Sequence, residues 1–443
     1  MRSPKPMKTS MAALALLFGG SIGAFAQAAP TATAGPAIYS PGPMLPLMDG
    51  NFQYSLTASE IVQFGNSYSG GSGTSTSSIT NLSGNMQYTN SSSSHPFSMI
   101  YSGGVLFSNY YGRGVSTFQS VSASQGLIKG RWAMGVSDTL SFLPQTGTTG
   151  VSGIPGVGDL GVAPIFDPLA PNQTVLSNYG RQINNSLSGN ITRQLTGRTS
   201  ISGTGNYGIL RFIDGVGFSS NQISGQVGIN HQLDRRSSIG VNAQYSTYSY
   251  GINSTSFQSR GLNLTYSRTL TKELSISASA GPQWTNSFLA LPIAGSGVTT
   301  SVLVPSRLGV SANAAVLYTH HHFNSSVVYT RGVNSGSGLQ IGSIADSLSG
   351  QVGRGWGRDW SGSLSGSYAR TTGLALSGTV TSIYGGAQLT RRLGQKFSAY
   401  MSYTAIQQSA PSSLVGLNAY NGLTHSIGVG VTFAPRRTRL NQF

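Results

Sequence analysis

The chain has 443 residues, of which 60 are glycine, and only 8% of its residues are charged. Low charge is common in membrane proteins, yet the hydrophobic share is an ordinary 38%, which excludes a bundle of membrane-spanning helices. A β-barrel accounts for both values, because only alternate residues of each strand face lipid and the others can be small and polar. The formal charge is +16, and for an exported chain it favours acidic lipid rather than nucleic acid as the partner.

The first 26 residues have the pattern of a secretory signal peptide. Basic residues precede an apolar run from Met11 to Phe25, and Ala24-Phe25-Ala26 forms a cleavage motif. Ala26-Gln27-Ala28 is an alternative cleavage site. Residues 27–50 are rich in proline and are predicted to form a periplasmic tail, too short to be the plug domain of an energy-coupled receptor.

Residues 51–433 are predicted to form a closed, all-β, transmembrane antiparallel barrel of about 18 strands, with 16 as the alternative count. Five strands are expected near 51–63, 79–89, 96–108, 115–125 and 130–143. Thirteen more follow from Gly180 onward, where apolar and small polar residues alternate with the period of a strand. One example is the apolar or glycine set from Ile201 to Ile209, which alternates with Ser200, Ser202 and Thr204.

A short turn recurs along the second half of the chain. The apolar residues that enter it are Leu195, Leu233, Leu270, Tyr318, Trp356 and Leu393, at spacings of 38, 37, 48, 38 and 37 residues. Such a repeat predicts a series of hairpins, and a sheet made only of hairpins must close or aggregate. The short turns lie on one side of the predicted barrel and the longer Gly/Ser/Asn-rich connections lie on the other, as in outer-membrane barrels.

These features resemble the outer-membrane β-barrel porins, and the hairpin motif is similar to β-barrel porins associated with polysaccharide export. The resemblance implies an assembly signal in the last strand, read by the barrel assembly machinery. Gly428, Val431 and Phe433 match it, although Ile427 stands where a polar residue is usual. A basic tail, 434–443, follows, and Phe443 is the alternative terminal aromatic.

The longest irregular segment is 144–178, which contains five prolines. In general porins a long loop in the first half of the barrel folds inward, so the resemblance implies that this segment narrows the pore. Asp159 and Asp167 are then the candidate constriction residues. The alternative is an ordinary surface loop.

Four arginines, Arg211, Arg260, Arg331 and Arg370, continue the apolar face of their strands at the outer end. We expect them to contact lipopolysaccharide phosphates, which arginine binds bidentately. The inner rim is basic as well, consistent with anionic phospholipid. The basic residues there are Arg193, Arg198, Arg235, Arg236, Lys272, Arg391, Arg392 and Lys396.

No catalytic residue, cofactor-binding residue or metal ligand is predicted, and the chain is not expected to be an enzyme. The three histidines from His320 to His322 alternate in direction along a strand, which favours a polar turn over a metal site. Inward positions are mostly Ser, Thr, Asn, Gln and Gly, which predicts a passive, weakly selective channel for small hydrophilic solutes in the outer membrane. The alternative is an accessory or structural barrel linked to polysaccharide export. The sequence leaves the oligomeric state open.

Overall fold

The computed structural model describes residues 51–66, 74–90, 92, 94–109, 115–146, 179–213, 217–251, 255–292, 299–334, 340–374, 378–415, 419–435 and 438–439. The predicted signal peptide and the proline-rich tail lie outside this part of the chain.

Eighteen long strands follow one another around the molecule. They are β1 (Asn51–Asn66), β2 (Thr74–Asn90), β3 (Phe97–Ser108), β4 (Val115–Lys129), β5 (Trp132–Thr146), β6 (Tyr179–Gln194), β7 (Thr199–Phe212), β8 (Ser220–Gln232), β9 (Ser237–Tyr250), β10 (Ser256–Thr269), β11 (Leu274–Pro292), β12 (Thr299–His320), β13 (Phe323–Asn334), β14 (Ser343–Trp356), β15 (Trp360–Gly373), β16 (Thr379–Arg392), β17 (Phe397–Ser409) and β18 (Gly422–Phe433).

Each strand pairs antiparallel with the next, and β18 pairs antiparallel with β1 over Leu56–Gly65, so the sheet closes. The predicted fold class, an antiparallel barrel of 18 strands, is confirmed. Closure leaves no unpaired long edge on which another chain could add a strand.

Side chains alternate between the two faces of the wall. On β15, Trp360, Leu364 and Tyr368 point outward and are 42%, 61% and 42% exposed, whereas Ser365 and Thr371 point inward and are buried. The same alternation runs through the other strands. The barrel is therefore apolar outside and polar inside, the reverse of a soluble protein.

The recurring short turns share one hydrogen-bond pattern. The N–H groups of Leu195, Leu233, Leu270 and Leu393 each donate to the carbonyl oxygen four residues on, at 2.9–3.0 Å. In three of these turns a Thr or Asp follows the leucine, and its side-chain oxygen accepts from two later backbone N–H groups. This local acceptor explains why the turn sequence repeats.

Two boundaries differ from the sequence-based prediction. The predicted loop 144–178 begins too early, because β5 continues to Thr146 and Pro144 pairs with Arg181 of β6. The β4–β5 ladder has already ended at Phe142, so proline stands where β5 has only one neighbour and its missing N–H costs little. In the predicted basic tail, β19 (Thr438–Arg439) pairs with Asn51 and Phe52.

Two prolines interrupt the ladders of the tallest hairpin. At Pro282 the pairing of β10 with β11 breaks between Gly261 and Leu264, because proline has no N–H to donate. Opposite Asn286, β12 carries a bulge between Val304 and Arg307, where Pro305 lies. Below this bulge, Arg307 points into the barrel.

The described helix, α1 (Ser412–Val415), lies between β17 and β18. No helix among the described residues is long and apolar enough to cross a membrane.

Candidate functional site: the lumen and its outer mouth

The inner wall is lined by small neutral polar side chains. The inward positions of the described strands are mostly Ser, Thr, Asn, Gln and Gly. Many of them bond to one another across strands. Thr57 bonds to Thr432 at 3.0 Å, and Ser311 donates to Asn263 at 2.6 Å. The wall offers hydrogen bonds to a polar solute and little electrostatic field.

Two charged side chains occupy inward positions of the described parts of β1–β18. Arg307 on β12 is exposed and stands opposite Thr285, a buried inward residue of β11. Arg392 is the last residue of β16, at the end with the short turns. Both are cations, so the described part of the lumen wall is weakly basic.

Apolar residues cluster inside the barrel at the outer mouth. Tyr248, Tyr250 and Phe257, on the inward faces of β9 and β10, are each less than 5% exposed. The rings of Tyr248 and Phe257 stack with centroids 4.3 Å apart and planes 11° from parallel. These side chains are buried by the segment at the start of β14, residues 340–344, because Ile341 and Ile344 pack against them.

Hydrogen bonds hold that segment and the end of β13 in place. The Gly342 N–H donates to the Tyr250 hydroxyl at 2.9 Å, and the Tyr248 hydroxyl donates to the Val333 carbonyl at 3.5 Å. Gly342 has φ of +67°, and a Cβ there would lie 2.9 Å from the Phe257 ring. Glycine is therefore required both by the backbone conformation and by the close approach. Because Tyr250 and Phe257 point inward, residues 340–344 lie inside the barrel.

Neighbouring loops extend this inward layer. The Gln340 amide donates to the Gly378 carbonyl at 3.3 Å, and a Cβ on Gly378 would lie 2.9 Å from the Pro411 ring. Leu414 of α1 packs against Val380 and Ala419. A further cluster joins the loop residue Tyr420 to Tyr384 and Ile406 of the wall. We call this layer of residues 340–344, 374, 378, 410–415 and 419–421 the mouth layer.

On the opposite side, β1–β4 carry a smaller inward apolar cluster of Ile61, Ile79, Leu106 and Phe118. The Phe118 ring covers Gly104 of the next strand, where a Cβ would lie 2.8 Å from the ring. Glycine beside an inward aromatic lets the ring lie flat on the wall. Apolar contacts inside the described lumen thus concentrate in this cluster and in the mouth layer.

The four outer arginines lie on the outward face. The Arg331 guanidinium is 2.9 Å from Asp346, and Arg211 donates to Asn221 at 2.6 Å. Arg260 lies over the Tyr245 ring, its Cζ 5.9 Å from the ring centroid, and Arg370 is exposed beside Asp346 on the neighbouring strand. The outward direction agrees with the alternation, while contact with lipopolysaccharide stays a prediction.

Other predicted residues are placed only in part. Asp159 and Asp167 lie outside the described residues, as does Phe443, and the inward course of their loop stays a prediction. Gly428 is an inward residue of β18 and Val431 an outward one. Phe433 ends the strand, its ring 5.1 Å from that of Phe397.

The histidine turn acquires a partner that is distant in sequence. His320 lies 2.6 Å from Glu273 of the preceding short turn, and His321 Nδ1 lies 3.1 Å from His320 Nε2. The hydrogen bond with His320 holds the pKa of the Glu273 carboxyl below its ordinary value. No group of three metal-ligating side chains occurs among the described residues.

Sequence reasoning missed Arg307 and the mouth layer. For Arg307 a signal existed, since the apolar alternation from Val310 to Tyr318 places residue 307 on the inward parity of the same strand. For the mouth layer there was none, because Tyr248, Tyr250 and Phe257 meet residues some 85 or more positions later.

In comparisons with known proteins, this chain resembles others in its architecture. No family model and no curated protein matches the chain. Among solved structures, it is similar to Pseudomonas aeruginosa OccK2 (OpdF), at 9% identity over 86% of this chain and 98% of that one, with a TM-score of 0.41. It is also similar to Pseudomonas aeruginosa OpdQ, at 8% identity over 88% of this chain and 99% of that one, with a TM-score of 0.42. A third similar structure is the ferric-catecholate import receptor Fiu of E. coli, at 9% identity over 88% of this chain and 82% of that one, with a TM-score of 0.44. Similarity this low carries no argument about function, which rests on the geometry of the barrel.

Proposed function

We propose that the protein is a channel of the bacterial outer membrane through which small hydrophilic solutes diffuse passively. The observation that carries this proposal is the neutral, hydroxyl- and amide-rich inner wall of a closed 18-stranded barrel whose outer face is apolar. Barrels of 16 to 18 strands are wide enough to leave an aqueous lumen.

The height of the apolar belt supports a membrane location. A strand tilted by about 40° rises roughly 2.5 Å per residue along the barrel axis. Trp360, which begins β15, and Arg370, near its other end on the same outward face, are then about 25 Å apart along the axis, the height expected of the apolar band of an outer-membrane barrel. The even strand count, and the position of the start of β1 and the end of β18 beside the short turns, support the outer membrane.

Weak selectivity for anions follows from the charges of the wall. Arg307 and Arg392 are the charged inward residues of the described parts of β1–β18, so no acidic ring opposes the passage of anions there. One guanidinium near each end gives a smaller field than the charged rings of selective channels.

The outer arginines support a second part of the proposal, contact with lipopolysaccharide. A guanidinium costs about 2–4 kcal/mol on the lipid face at the midplane but only about 0–1 near the interface. Arg370 is about 25 Å from Trp360 along the barrel axis, the level expected of the outer interface. Replacing Arg211, Arg260, Arg331 and Arg370 together by glutamine should weaken lipopolysaccharide association and leave conductance nearly unchanged. A large change in ion selectivity would instead place these side chains in the lumen.

An accessory barrel linked to polysaccharide export is the alternative, and it rests on the resemblance of the hairpin motif alone. The experiment that separates the two is single-channel recording in planar bilayers with purified, folded protein. The channel proposal expects stable, voltage-independent conductance steps. Folded protein that inserts without conducting would favour the accessory role.

A further inference from the structure

Two rows of aromatic and basic side chains occur on the outward face, at the end of the barrel with the short turns. In the first row, Trp132 begins β5, with Lys129 and Arg193 as its cross-strand neighbours. In the second, Trp360 begins β15, and its neighbours are Trp356 and Arg391.

The central contact is the same in both rows. The Arg193 Cζ lies 4.9 Å from the centroid of the Trp132 ring, and the Arg391 Cζ lies 5.1 Å from that of Trp360. In each case tryptophan is the first residue of one strand, and arginine is the last residue but one of the next. The arrangement thus recurs ten strands further along the chain.

Stacking orients each guanidinium and leaves its N–H donors available. The guanidinium groups of Arg193 and Arg391 form no ion pair or hydrogen bond with another described residue. A planar guanidinium presents its donors in a fork that matches two oxygens of a phosphate. Each row therefore offers a preorganised binding site for an anion.

A second cation stands beside each pair. Lys129 flanks Trp132 in the first row. In the second row Arg354 fills this role, two residues before Trp356 on the outward face of β14. The Trp356 ring lies across Gly362, where a Cβ would be 2.7 Å from the ring, so the indole lies flat on the wall next to this cation.

We propose that each row binds the phosphate of an anionic phospholipid in the leaflet that meets this end of the barrel. The inference rests on the proposed membrane location. Arginine would hold the phosphate bidentately, the second cation would neutralise the remaining charge, and the indole would face the glycerol region, where tryptophan is favoured.

The surroundings favour a lipid over a soluble phosphate. The outward residues that continue from the first row into the belt are Met134 and Val136, and Leu364 continues from the second, all exposed. Acyl chains attached to the bound phosphate would lie along these side chains. Each cation near the surface should enrich anionic lipid about fivefold, from roughly 1 kcal/mol per Lys or Arg.

The positions of the tryptophans allow a direct test. Of the four, Trp132, Trp356 and Trp360 belong to the rows, so the variant W284F reports only on this end of the barrel. We would reconstitute W284F in phosphatidylcholine vesicles that contain brominated phosphatidylglycerol or, at the same mole fraction, brominated phosphatidylcholine, and measure quenching of fluorescence. The proposal expects stronger quenching by the brominated phosphatidylglycerol.

Three further variants in the W284F background identify the residues responsible. R193Q/R391Q should remove most of the excess quenching and leave only the weaker attraction of the remaining cations, whereas R198Q/R236Q, which removes two turn arginines at the same end, should keep most of it. R193K/R391K should show a smaller excess of quenching than the W284F parent, because lysine cannot bind a phosphate bidentately. Heat-modifiable migration on gels checks that each variant is folded.

Three results would overturn the inference: equal quenching by the two brominated lipids, an excess that is undiminished in R193Q/R391Q, or full retention of the excess in R193K/R391K. Equal quenching by the two lipids, together with a change of tryptophan fluorescence on adding soluble glycerol phosphate, would assign the sites to a free phosphate and reject the lipid. Conductance in pure phosphatidylcholine bilayers tests the channel separately, so failure of this inference leaves that result unaffected.

Discussion

Arg307 and Arg260 carry the same charge on opposite faces of the barrel wall. Arg307 points into the lumen because it follows the alternation of β12, whose register with β11 is unbroken from Tyr318 to Arg307, whereas Arg260 points outward over Tyr245. At the scale of the residue, the effect of a charge is therefore decided by its face. A charge in the lumen acts on permeating ions, and one outside acts on lipid.

Replacing Arg307 with glutamine should shift the zero-current potential in a salt gradient toward cation preference, because the inward positions described on β1–β18 then keep only Arg392. Arg260→Gln is the matched control, with the same loss of charge on the lipid side, and should leave the potential unchanged. Equal shifts in both variants would contradict the assignment of faces. The measurement is made in planar bilayers at low salt, where screening is weakest.

Asp138 is an outward carboxylate within the apolar belt. It lies six residues after Trp132, or roughly 15 Å along the axis, and its partner is the Asn185 amide at 2.8 Å. We expect Asp138→Leu to stabilise the barrel in lipid vesicles by about 1 kcal/mol, because charge near the midplane is unfavourable. Urea unfolding in vesicles measures this.

Asp346→Leu is the control for that prediction. Asp346 lies at the rim and pairs with Arg331, so the substitution removes an ion pair and gains no favourable lipid contact. A larger stabilisation from Asp346→Leu than from Asp138→Leu would contradict the estimated heights.

At the scale of the element, the short turns are built from local acceptors. Asp234 accepts from the Ser237 hydroxyl and from the backbone N–H groups of Arg236 and Ser237. The Ser237 hydroxyl is the largest cause of the lowered pKa of the Asp234 carboxyl, followed by the backbone N–H of Arg236. Such a carboxyl stabilises the folded state above its ordinary pKa, and this contribution is lost as the pH falls through the lowered, folded value.

We therefore expect Asp234→Ala to reduce stability at neutral pH and to make the acid side of the stability profile flatter. Asp234→Thr should restore much of the neutral-pH stability, since threonine occupies this place in the turns at Thr196 and Thr271, but it should not restore the pH dependence. Thermal unfolding in detergent at several pH values measures both effects. An unchanged acid slope in Asp234→Ala would show that other groups dominate it.

The mouth layer is the second element with a testable role. Phe257→Ala removes the ring that stacks on Tyr248 and lies beside Gly342, so residues 340–344 lose their main apolar contact. We expect larger or noisier single-channel conductance, because the segment is freed from the wall. Phe118→Ala, an inward ring on β4 outside the mouth layer, is the control. Unchanged conductance in Phe257→Ala would mean that the layer does not limit flow.

At the scale of the whole molecule, a closed sheet unfolds as one unit, because no strand can leave without opening two ladders. Heat-modifiable migration on gels and β-rich circular dichroism in detergent are the expected behaviour. A water-soluble monomer without detergent would contradict the membrane assignment, since the outward apolar side chains would then be exposed to water.

Measurements of single-channel conductance also distinguish between two segments that could narrow the pore. Deletion of 150–172 tests the long loop that the sequence singles out, and Phe257→Ala tests the mouth layer. If the long loop sets the conductance, the deletion should widen the pore and raise the solute cutoff in a background with an intact mouth layer. No change in either quantity would place the loop outside the lumen.

The sequence by itself determined the closed antiparallel barrel, its 18 strands and the face of each described outer arginine. It could do so because strand alternation has a period of two and each short turn carries its own hydrogen-bond acceptor, so these signals are local. Only the tertiary structure decided the mouth layer, the pairing of His320 with Glu273, and the stacking of Arg193 and Arg391 on tryptophan. These contacts join residues distant in sequence, and they depend on closure and register, which bring together strands that no local pattern relates. The extension of β5 past Pro144 has the same origin, because the end of the β4–β5 ladder at Phe142 is what makes a proline there tolerable.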